Sequence, residues 1–444
     1  MNLSFSREIP LNDSYEVIVA GGGPAGCAAA AASASTGAKT LLIEASGVLG
    51  GMGTSGMVPA WCPFSDKEKI IYRGIAQKVF EATKAAMPHI DKDALDWVPI
   101  DAEALKRIYD DLVTEAGADV LFHTMISAVD FSDGQLNYVV VSNKSGLTAY
   151  KAPMFVDCTG DGDLVAWSGL PFEFGSEDTH EVQPATHCFQ ITNVDEYAYA
   201  TGPRMHSSIP DCPVYDIVRD EKYPLVKDGH SCNSLVGPRT LGFNAGHLWD
   251  VDATDPFSVS KALMQGRKLA HQFHEGLKEY YPSAFAASFL SATAPVMGIR
   301  ESRRVVGEYT ITLEDFLARR TFEDEIGRNS YYIDVHQSES EREKGNSGEF
   351  NSDMRVEHYG PGESHGIPYR SLVPLGAGNL LTAGRNVSCD HLVLGSVRVM
   401  PTALVTGQAA GTAAAMIALE GLNTHTLDVQ KLRAKLREDG AYFL

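Results

Sequence analysis

Hydrophobic and polar positions alternate in blocks along the first part of the chain. The run YEVIVA at 15–20 and the run KTLLIE at 39–44 are short, continuous and aliphatic, which is typical of strands buried on both faces. A glycine turn and the alanine-rich stretch 27–35, which favours helix, lie between them. Strand, turn, helix and strand within about 30 residues predict a βαβ unit with a parallel sheet.

Similar patterns recur at both ends of the chain. Residues 101–116 have apolar positions at helical spacing, with Asp101 as the predicted cap. Strands are predicted at 119–122, 126–131, 138–142, 154–157 and 379–383, and a long helix at 401–419. Pro401 suits a first helical turn. We therefore predict an α/β fold in which residues 1–168 and 366–444 form one discontinuous, Rossmann-like nucleotide-binding domain.

The middle of the chain, 169–365, has a different texture. It is richer in Pro, His, Tyr and charge and contains one clear helical stretch, 259–281. We expect it to form an inserted α+β substrate domain. In the C-terminal helix, Gly407 and Gly411 belong to a face of small residues that predicts close packing on the sheet. The same helix contains Gln408, and we interpret it as a buried helix rather than a membrane span.

Composition narrows the function classes. The chain has 444 residues, of which 44% are hydrophobic and 21% charged, so it can bury a large core. The 37 basic and 57 acidic residues give a net charge of −20, which disfavours nucleic acid and anionic membranes as partners. Seven cysteines without a C-x-x-C pair, and an N-terminus without a visible signal peptide, indicate reduced thiols, no metal site and a cytoplasmic setting.

The glycine turn carries the first chemical signal. Gly21, Gly23 and Gly26 form G-x-G-x-x-G, the pattern that brings a backbone close to a pyrophosphate at a helix N-terminus. Glu44 ends the next strand about 20 residues later, where an acid binds an adenosine ribose 2′-hydroxyl. An acid at this position disfavours NADP. The motif by itself leaves NAD and FAD open.

Four blocks extend the signal. They are VIVAGGGPAGCAAA through LLIEASGVLGGMGTSG, then VDCTGDGDL, then GIRESRRVVGEY, and finally the stretch from IPYRSLVPLGAG to GQAAGTAA. In these blocks the chain resembles the FAD-dependent oxidoreductases of the glutathione-reductase-like superfamily, relatives of the fumarate reductase and aspartate oxidase flavoproteins. The resemblance implies that the nucleotide is FAD, and that a double glycine after the ribose acid runs along the flavin.

The resemblance and the glycine motif together give a set of cofactor-binding residues. It comprises Gly21, Gly23, Pro24, Ala25, Gly26, Glu44, Ala45, Gly50, Gly51, Met52, Thr54, Ser55, Gly56, Thr159, Gly160, Asp161, Gly384, Arg385, Ser396, Met400, Thr402 and Ala403. A helix that begins near Pro401 would point its positive end at the flavin and stabilise the negative charge of the reduced ring.

Four residues are candidates for the chemistry. His391 lies between the return strand and the flavin-facing helix and suits a base or hydrogen-bond donor; a structural histidine is the alternative. Arg398 suits a substrate carboxylate or the flavin carbonyl edge, against a loop-holding salt bridge. Tyr369 and His187 are further candidates. The cluster Arg300 to Arg304 is more typical of an ion-pair network than of substrate contact.

Function follows as a set of expectations. An FAD enzyme would transfer a hydride between a small polar organic substrate and flavin N5, with substrate class and oligomeric state open. No second G-x-G-x-x-G occurs in strand–turn–helix context, so electrons would pass to oxygen, a quinone or a second small molecule. The alternatives are an FAD protein that catalyses a reaction without net redox change, and a non-catalytic NAD- or FAD-binding sensor.

Overall fold

A five-stranded parallel sheet forms the centre of the nucleotide-binding part. The computed structural model describes residues 6–206, 208–209, 211–341 and 358–444. The sheet has the strand order Leu380–Thr382, Met154–Asp157, Val17–Ala20, Thr40–Ile43 and Asp119–Leu121. Each neighbouring pair runs parallel. The predicted βαβ unit and parallel sheet are confirmed, and the first and last chain segments meet in one sheet.

The described residues contain further strands and helices, which we number in chain order. The strands are β1 Leu11–Asn12, β2 Val17–Ala20, β3 Thr40–Ile43, β4 Asp119–Leu121, β5 Met125–Ser132, β6 Gln135–Asn143, β7 Gly146–Tyr150, β8 Met154–Asp157, β9 Phe172–Phe174, β10 Phe189–Thr192, β11 Ser231–Gly237, β12 Thr240–Ala245, β13 Phe289–Thr293, β14 Arg303–Val305, β15 Glu325–Asn329, β16 His365–Pro368 and β17 Leu380–Thr382. The α-helices are α1 Pro24–Ser35, α2 Ile75–Ala86, α3 Ala102–Glu115, α4 Asp163–Trp167, α5 Glu196–Thr201, α6 Val214–Arg219, α7 Pro256–Tyr280, α8 Pro282–Phe285, α9 Leu313–Leu317, α10 His391–Val397, α11 Met400–Glu420 and α12 Val429–Glu438. Short 3₁₀ turns span Gly51–Gly53 and Tyr369–Leu372.

Antiparallel sheets flank the central one. Strands β1, β7, β6 and β5 form one sheet, in which β1 pairs parallel with β7 and the other pairs are antiparallel. Strands β11, β12, β10 and β13 form a second sheet, which has its own hydrophobic core with α7. Ile311, Phe316 and Ile326 belong instead to the core that surrounds α1 and α11. The division at 168/169 and 365/366 stays a prediction.

Helices α1 and α11 lie side by side against the parallel sheet, since both contact its strands and share one hydrophobic core with them. Ala25 and residues 28–32 of α1 are buried. A Cβ at Gly407 would lie 2.2 Å from the Ala25 carbonyl oxygen, and one at Gly411 would lie 2.0 Å from that of Ala29. The glycines of the small-residue face of α11 therefore pack against α1, and α11 also contacts strands β8, β2 and β17 of the sheet, as its sequence suggested. The two helices run parallel.

The helix ends follow their capping residues. Asp101 accepts hydrogen bonds from the backbone N–H groups of Glu103 and Ala104, as predicted for the start of α3. Helix α7 begins three residues earlier than its apolar pattern indicated, because Asp255 caps it ahead of Pro256. In α11 the Gln408 side chain accepts a hydrogen bond from the Ile75 N–H at 2.8 Å. Gln408, the single amide side chain of α11, therefore caps the start of α2.

Helix α11 is long and apolar enough to cross a membrane by composition, but 83% of its most apolar window is buried inside the protein. This burial is typical of a core helix, as the sequence indicated. Each of the seven cysteines is a free thiol.

Gly411→Ala tests the helix contact. The added methyl group must push α11 away from the Ala29 carbonyl, so we expect a loss on the order of 2 kcal/mol in the free energy of unfolding, despite the better helix propensity of alanine. Chemical denaturation measures it. Gly237→Ala, where no atom lies within 4 Å of the new Cβ, is the control. Equal stability of the two variants would contradict the packing.

Candidate functional site

In the first glycine turn, Gly21 and Gly26 lie tightly against neighbouring backbone, whereas Gly23 does not. A Cβ at Gly26 would lie 1.7 Å from the Gly21 carbonyl oxygen, and one at Gly21 would lie 2.5 Å from that of Cys158. Gly21 also has a φ of +94°. By contrast, nothing lies within 4 Å of the same position at Gly23. Two glycines thus allow helix α1 and strand β2 to meet, and the third faces open space.

The N-terminus of α1 is free of side-chain caps. Gly23 occupies the cap position, Pro24 follows it, and the first turn contains no acid. The nearby Glu44 side chain accepts hydrogen bonds from the Gly22 and Ser46 N–H groups, each at 2.7 Å. The positive end of the helix is therefore available to an anion, and a carboxylate is fixed beside it.

The double-glycine loop lies directly on this turn. A Cβ at Gly51 would lie 3.0 Å from the Gly23 Cα, while one at Gly50 would lie 2.6 Å from the Tyr109 ring. Both glycines have positive φ. A Cβ at Gly53 would lie 3.2 Å from the Met400 sulfur. The loop therefore connects the start of α1 to the start of α11.

The predicted residues of this loop contribute mainly backbone. Thr54 donates its hydroxyl to the Leu49 carbonyl at 2.6 Å, and a Cβ at Gly56 would lie 2.7 Å from the Met52 Cα. Both Thr54 and Ser55 are buried. Residues 49–56 therefore form a tight loop whose contacts are largely internal.

The strand-end turn after β8 contacts the return strand. Asp157 is fully buried and accepts hydrogen bonds from the Thr159 hydroxyl at 2.7 Å and the Val165 N–H at 3.1 Å. Burial raises the pKa of Asp157 to about 6. Arg385 donates to the Asp161 carboxylate at 2.8 Å, and its guanidinium would meet a Cβ at Gly160. Thr159, Gly160, Asp161 and Arg385 are thus brought together.

The start of α11 is a second uncapped helix end. Val399 is its cap residue, without a side-chain hydrogen bond, and the first turn contains no acid. Because Gly407 packs on Ala25, Met400 lies about 9 Å beyond the start of α1 at 1.5 Å per residue. The two N-termini point the same way, and we call the region between the start of α1 and the start of α11 the cradle.

Two predicted cofactor contacts have other partners for their side chains. Thr402 donates its hydroxyl to the Asn329 side-chain oxygen at 2.8 Å, and the Asn329 amide donates to the Ser396 hydroxyl at 2.6 Å. Tyr72 donates to the same Asn329 oxygen at 2.8 Å. Asn329 therefore fixes the junction between α10 and α11. Sequence reasoning missed it, since neither Asn329 nor Tyr72 lies in a motif.

His391 and Arg398 lie at opposite ends of α10. The His391 Nδ1 lies 2.8 Å from the Glu301 carboxylate, which is fully buried and also accepts from the Arg304 guanidinium at 2.7 Å and the Gln183 N–H at 3.1 Å. The ion-pair network predicted for the arginine cluster is present. The Glu301 carboxylate of this network positions His391, the candidate base, and the sequence did not reveal this contact.

The extended segment after Tyr331 joins the two ends of α10. It lies against Gly395, where a Cβ would be 2.8 Å from a Val335 methyl group. Arg398 donates to the Asp334 carbonyl at 2.9 Å, and the His336 N–H donates to the Gln183 side chain at 3.3 Å. Burial raises the pKa of Asp334, but His336, Arg398 and Arg300 outweigh it and hold the pKa well below the usual range.

A narrow crevice, which we call the His391 cavity, lies at this end of the segment, and in this structure it is too narrow to admit a water molecule. Its lining includes His391, Gln183, His336, Glu181, Ser176 and Ser338. Within the described residues, the Gln183 side-chain nitrogen is buried without a hydrogen-bond partner, and so is the Arg398 Nε, which lies outside this lining. Buried donors of this kind call for an explanation, and a bound ligand supplies one.

The other two chemical candidates have structural contacts. The Tyr369 hydroxyl donates to the Thr424 carbonyl at 3.1 Å, on the side of the core that faces the C-terminal segment. The His187 Nε2 lies 2.7 Å from the Ala294 carbonyl, and its ring packs against Gly266. Their catalytic roles stay predictions.

The residues fit FAD. The glycine turn and the uncapped start of α1 suit a pyrophosphate. The uncapped start of α11 suits an electron-rich ring, and the fixed carboxylate of Glu44 suits a ribose. The double-glycine loop between the two helix starts leaves room for a backbone contact along the cofactor.

Comparisons with known proteins give several similar solved structures. The chain is similar to the solved structures of AlpK (11% identity, TM-score 0.44), a geranylgeranyl bacteriochlorophyll reductase-like protein from Thermoplasma acidophilum (12%, 0.45) and the p-nitrophenol 4-monooxygenase PnpA from Pseudomonas putida (11%, 0.44). These matches cover 92%, 97% and 98% of this chain and 63%, 83% and 87% of the others, so the chain spans less than two thirds of AlpK. A search of the curated proteins gave no match.

The family comparison covers nearly the whole chain. The family described as FAD dependent oxidoreductase matches residues 16–436, a range that includes both helix N-termini and the Glu301–His391 pair. The resemblance inferred from the four sequence blocks is confirmed. The chain belongs to this family and is an FAD-dependent oxidoreductase.

Proposed function

We propose that this enzyme holds FAD noncovalently and transfers a hydride between a small polar organic substrate and flavin N5. When bound, FAD supplies the hydride acceptor and donor. The observation that carries the proposal is the Glu301–His391 pair at the rim of the His391 cavity, close in sequence to the uncapped start of α11. In this proposal His391 is the proton-exchanging group, and helix α10 separates it from the predicted flavin end of the cradle.

His391 is suited to move a proton. Because Glu301 engages Nδ1, Nε2 is the nitrogen that can exchange a proton with a substrate. The side chain is 8% exposed, whereas the Glu301 carboxylate is fully buried. The buried carboxylate therefore fixes the orientation of the imidazole.

Two donors suit the recognition of substrate oxygens. Arg398 uses one guanidinium nitrogen for the Asp334 carbonyl, and its buried Nε lacks a partner among the described residues. The buried Gln183 amide nitrogen also lacks a hydrogen-bond partner among the described residues. Acceptor oxygens of a carboxylate or of a sugar would satisfy both donors. The residues support either class.

The uncapped start of α11 has an electrostatic role. Its free N–H groups and helix dipole favour negative charge, so we assign it to the pyrimidine edge of the reduced flavin. Ser396 and Thr402 then act through Asn329 by holding the helix start in place. The proposal extends to a small-molecule substrate, an unidentified electron acceptor and a cytoplasmic setting.

Anaerobic flavin spectroscopy with a metabolite panel tests the proposed chemistry. The FAD-loaded protein is mixed with hydroxy acids, amino acids and sugars, and the dithionite-reduced protein with the matching oxo acids, imines and lactones. We expect at least one compound to bleach or restore the flavin absorbance. Conversion of a compound with no requirement for a change in flavin oxidation state would support the non-redox alternative instead. FAD that no compound reduces or reoxidises would favour the sensor.

His391→Gln tests the proton-transfer role with the compound found in that panel. We expect the rate of flavin reduction to fall by about 10²- to 10⁴-fold, with FAD still bound, and the limb of the pH profile that reports the base to disappear. The control is His425→Gln, because the His425 side chain is 45% exposed. A His391 variant that keeps the wild-type rate and pH profile would remove His391 from the chemistry.

A further inference from the structure

Three histidines from separate chain segments converge beside the second antiparallel sheet. His230 precedes β11 and His247 follows β12, so the paired strands bring both to the same end of the sheet. His336 comes from the extended segment that packs along α10. One nitrogen of each ring lies within 4.8 Å of the other two. We call these residues the histidine cluster.

In two of the three rings, the nitrogen that faces away from the cluster, the outer nitrogen, lies near a carboxylate. The His247 Nδ1 forms a short contact with Asp228, and the His336 Nε2 lies 3.5 Å from an Asp334 oxygen. Ionised carboxylates accept hydrogen bonds only, so we assign the ring protons to these outer nitrogens. This carboxylate–imidazole arrangement is the usual outer shell of a metal-bound histidine.

That assignment leaves the inner nitrogens without a proton between them. The His247 Nε2 and the His336 Nδ1 lie only 3.0 Å apart. With both protons on the outer nitrogens, two lone pairs face each other, which is repulsive unless a proton or a cation lies between them. The His230 Nδ1 is buried without a hydrogen-bond partner among the described residues. With this assignment, each of the three rings has one nitrogen lone pair that contacts neither a proton nor a cation among the described residues.

We infer that His230, His247 and His336 bind a divalent transition-metal cation, with zinc as the reference case. Nitrogens that share one ion at about 2.1 Å in a tetrahedral site lie about 3.4 Å apart, so the cluster has to close by up to about 1.4 Å. The rings of His230 and His247 stack with their centroids 4.2 Å apart, so one of them also has to rotate to direct its nitrogen at the ion. Imidazole ligands favour Zn²⁺, Co²⁺, Ni²⁺ and Cu²⁺ over Mg²⁺ and Ca²⁺. Three protein ligands leave a fourth position open to water or to a substrate oxygen.

Charge and access are compatible with such an ion. Asp228 and Asp334 provide two negative charges next to the rings. Arg300 and Arg398 oppose them with two positive charges, and the Arg300 guanidinium is fixed in place by the Pro184 carbonyl and the Thr186 hydroxyl, each at 2.7 Å. The side chains of His247 and His336 are 10% and 17% exposed, so an ion from solvent can reach them. The expectation from sequence was that no metal site exists, because ligands so far apart in the chain form no motif.

Metal titration of the FAD-loaded full chain tests the inference. The protein is dialysed against a chelator and then titrated with Zn²⁺ by calorimetry and with Co²⁺ by visible absorbance, corrected for the flavin. We expect one site per chain and no binding of Mg²⁺ at the same concentrations. His336→Gln should abolish the site, and Asp228→Asn should weaken it by about 10- to 100-fold through the outer shell. His425→Gln should bind as wild type does.

The outcomes separate this inference from the proposed function. Flavin absorbance is read in the same samples, and we expect every variant to keep its FAD, so loss of the metal site and loss of the cofactor are read separately. Asp228→Asn keeps all three histidines, so it remains informative if His336→Gln does not fold. The inference is overturned if wild type takes up no Zn²⁺ or Co²⁺, which would assign the 3.0 Å contact to a shared proton. Equal metal binding by wild type and both cluster variants would overturn it too.

Discussion

The contact between α1 and α11 is the constraint on which the cofactor site depends. The carbonyl oxygens of Ala25 and Ala29 occupy the space that side chains at Gly407 and Gly411 would need. Helices approach this closely only where one of them has glycine, and interiors packed at crystal density do not accommodate extra atoms. The register of α11 on α1 is therefore fixed, and with it the distance between the two helix N-termini.

From this register follows the order of functional groups along the cradle. The open side of Gly23 and the fixed carboxylate of Glu44 lie at one end. The double-glycine loop crosses to Met400 at the other end, where α10 turns into α11. Asn329 ties that turn to β15, and Glu301 fixes His391 at the far end of α10. Rigid packing thus fixes the position of His391, the proposed proton-exchanging group, relative to the cofactor site.

The sequence predicted the parts that depend on local pattern. The strand runs at 15–20 and 39–44, the glycine motif and the Asp101 cap each determine their structure within a few residues, and all are observed. The four blocks also come together: Arg385 and Ser302 both donate to Asp161, and a Cβ at Gly21 would lie 2.5 Å from the Cys158 carbonyl oxygen. Networks between distant residues could not be predicted, because the partners of His391 and Thr402 are 90 and 73 residues away in the chain. Likewise, no local pattern shows that the Tyr369 hydroxyl turns to Thr424, or that three histidines meet.

The central claim is that glycine-mediated packing aligns two helix N-termini on one FAD. The dissociation constant for FAD of Gly407→Ala, measured beside Gly411→Ala, tests it most directly. Position 407 lies one turn nearer the cradle, so the account predicts a folded protein whose FAD affinity is reduced at least about tenfold, with a smaller reduction for the variant at 411. Folding is checked by circular dichroism. FAD affinity at the wild-type level in a folded Gly407→Ala protein would contradict the account.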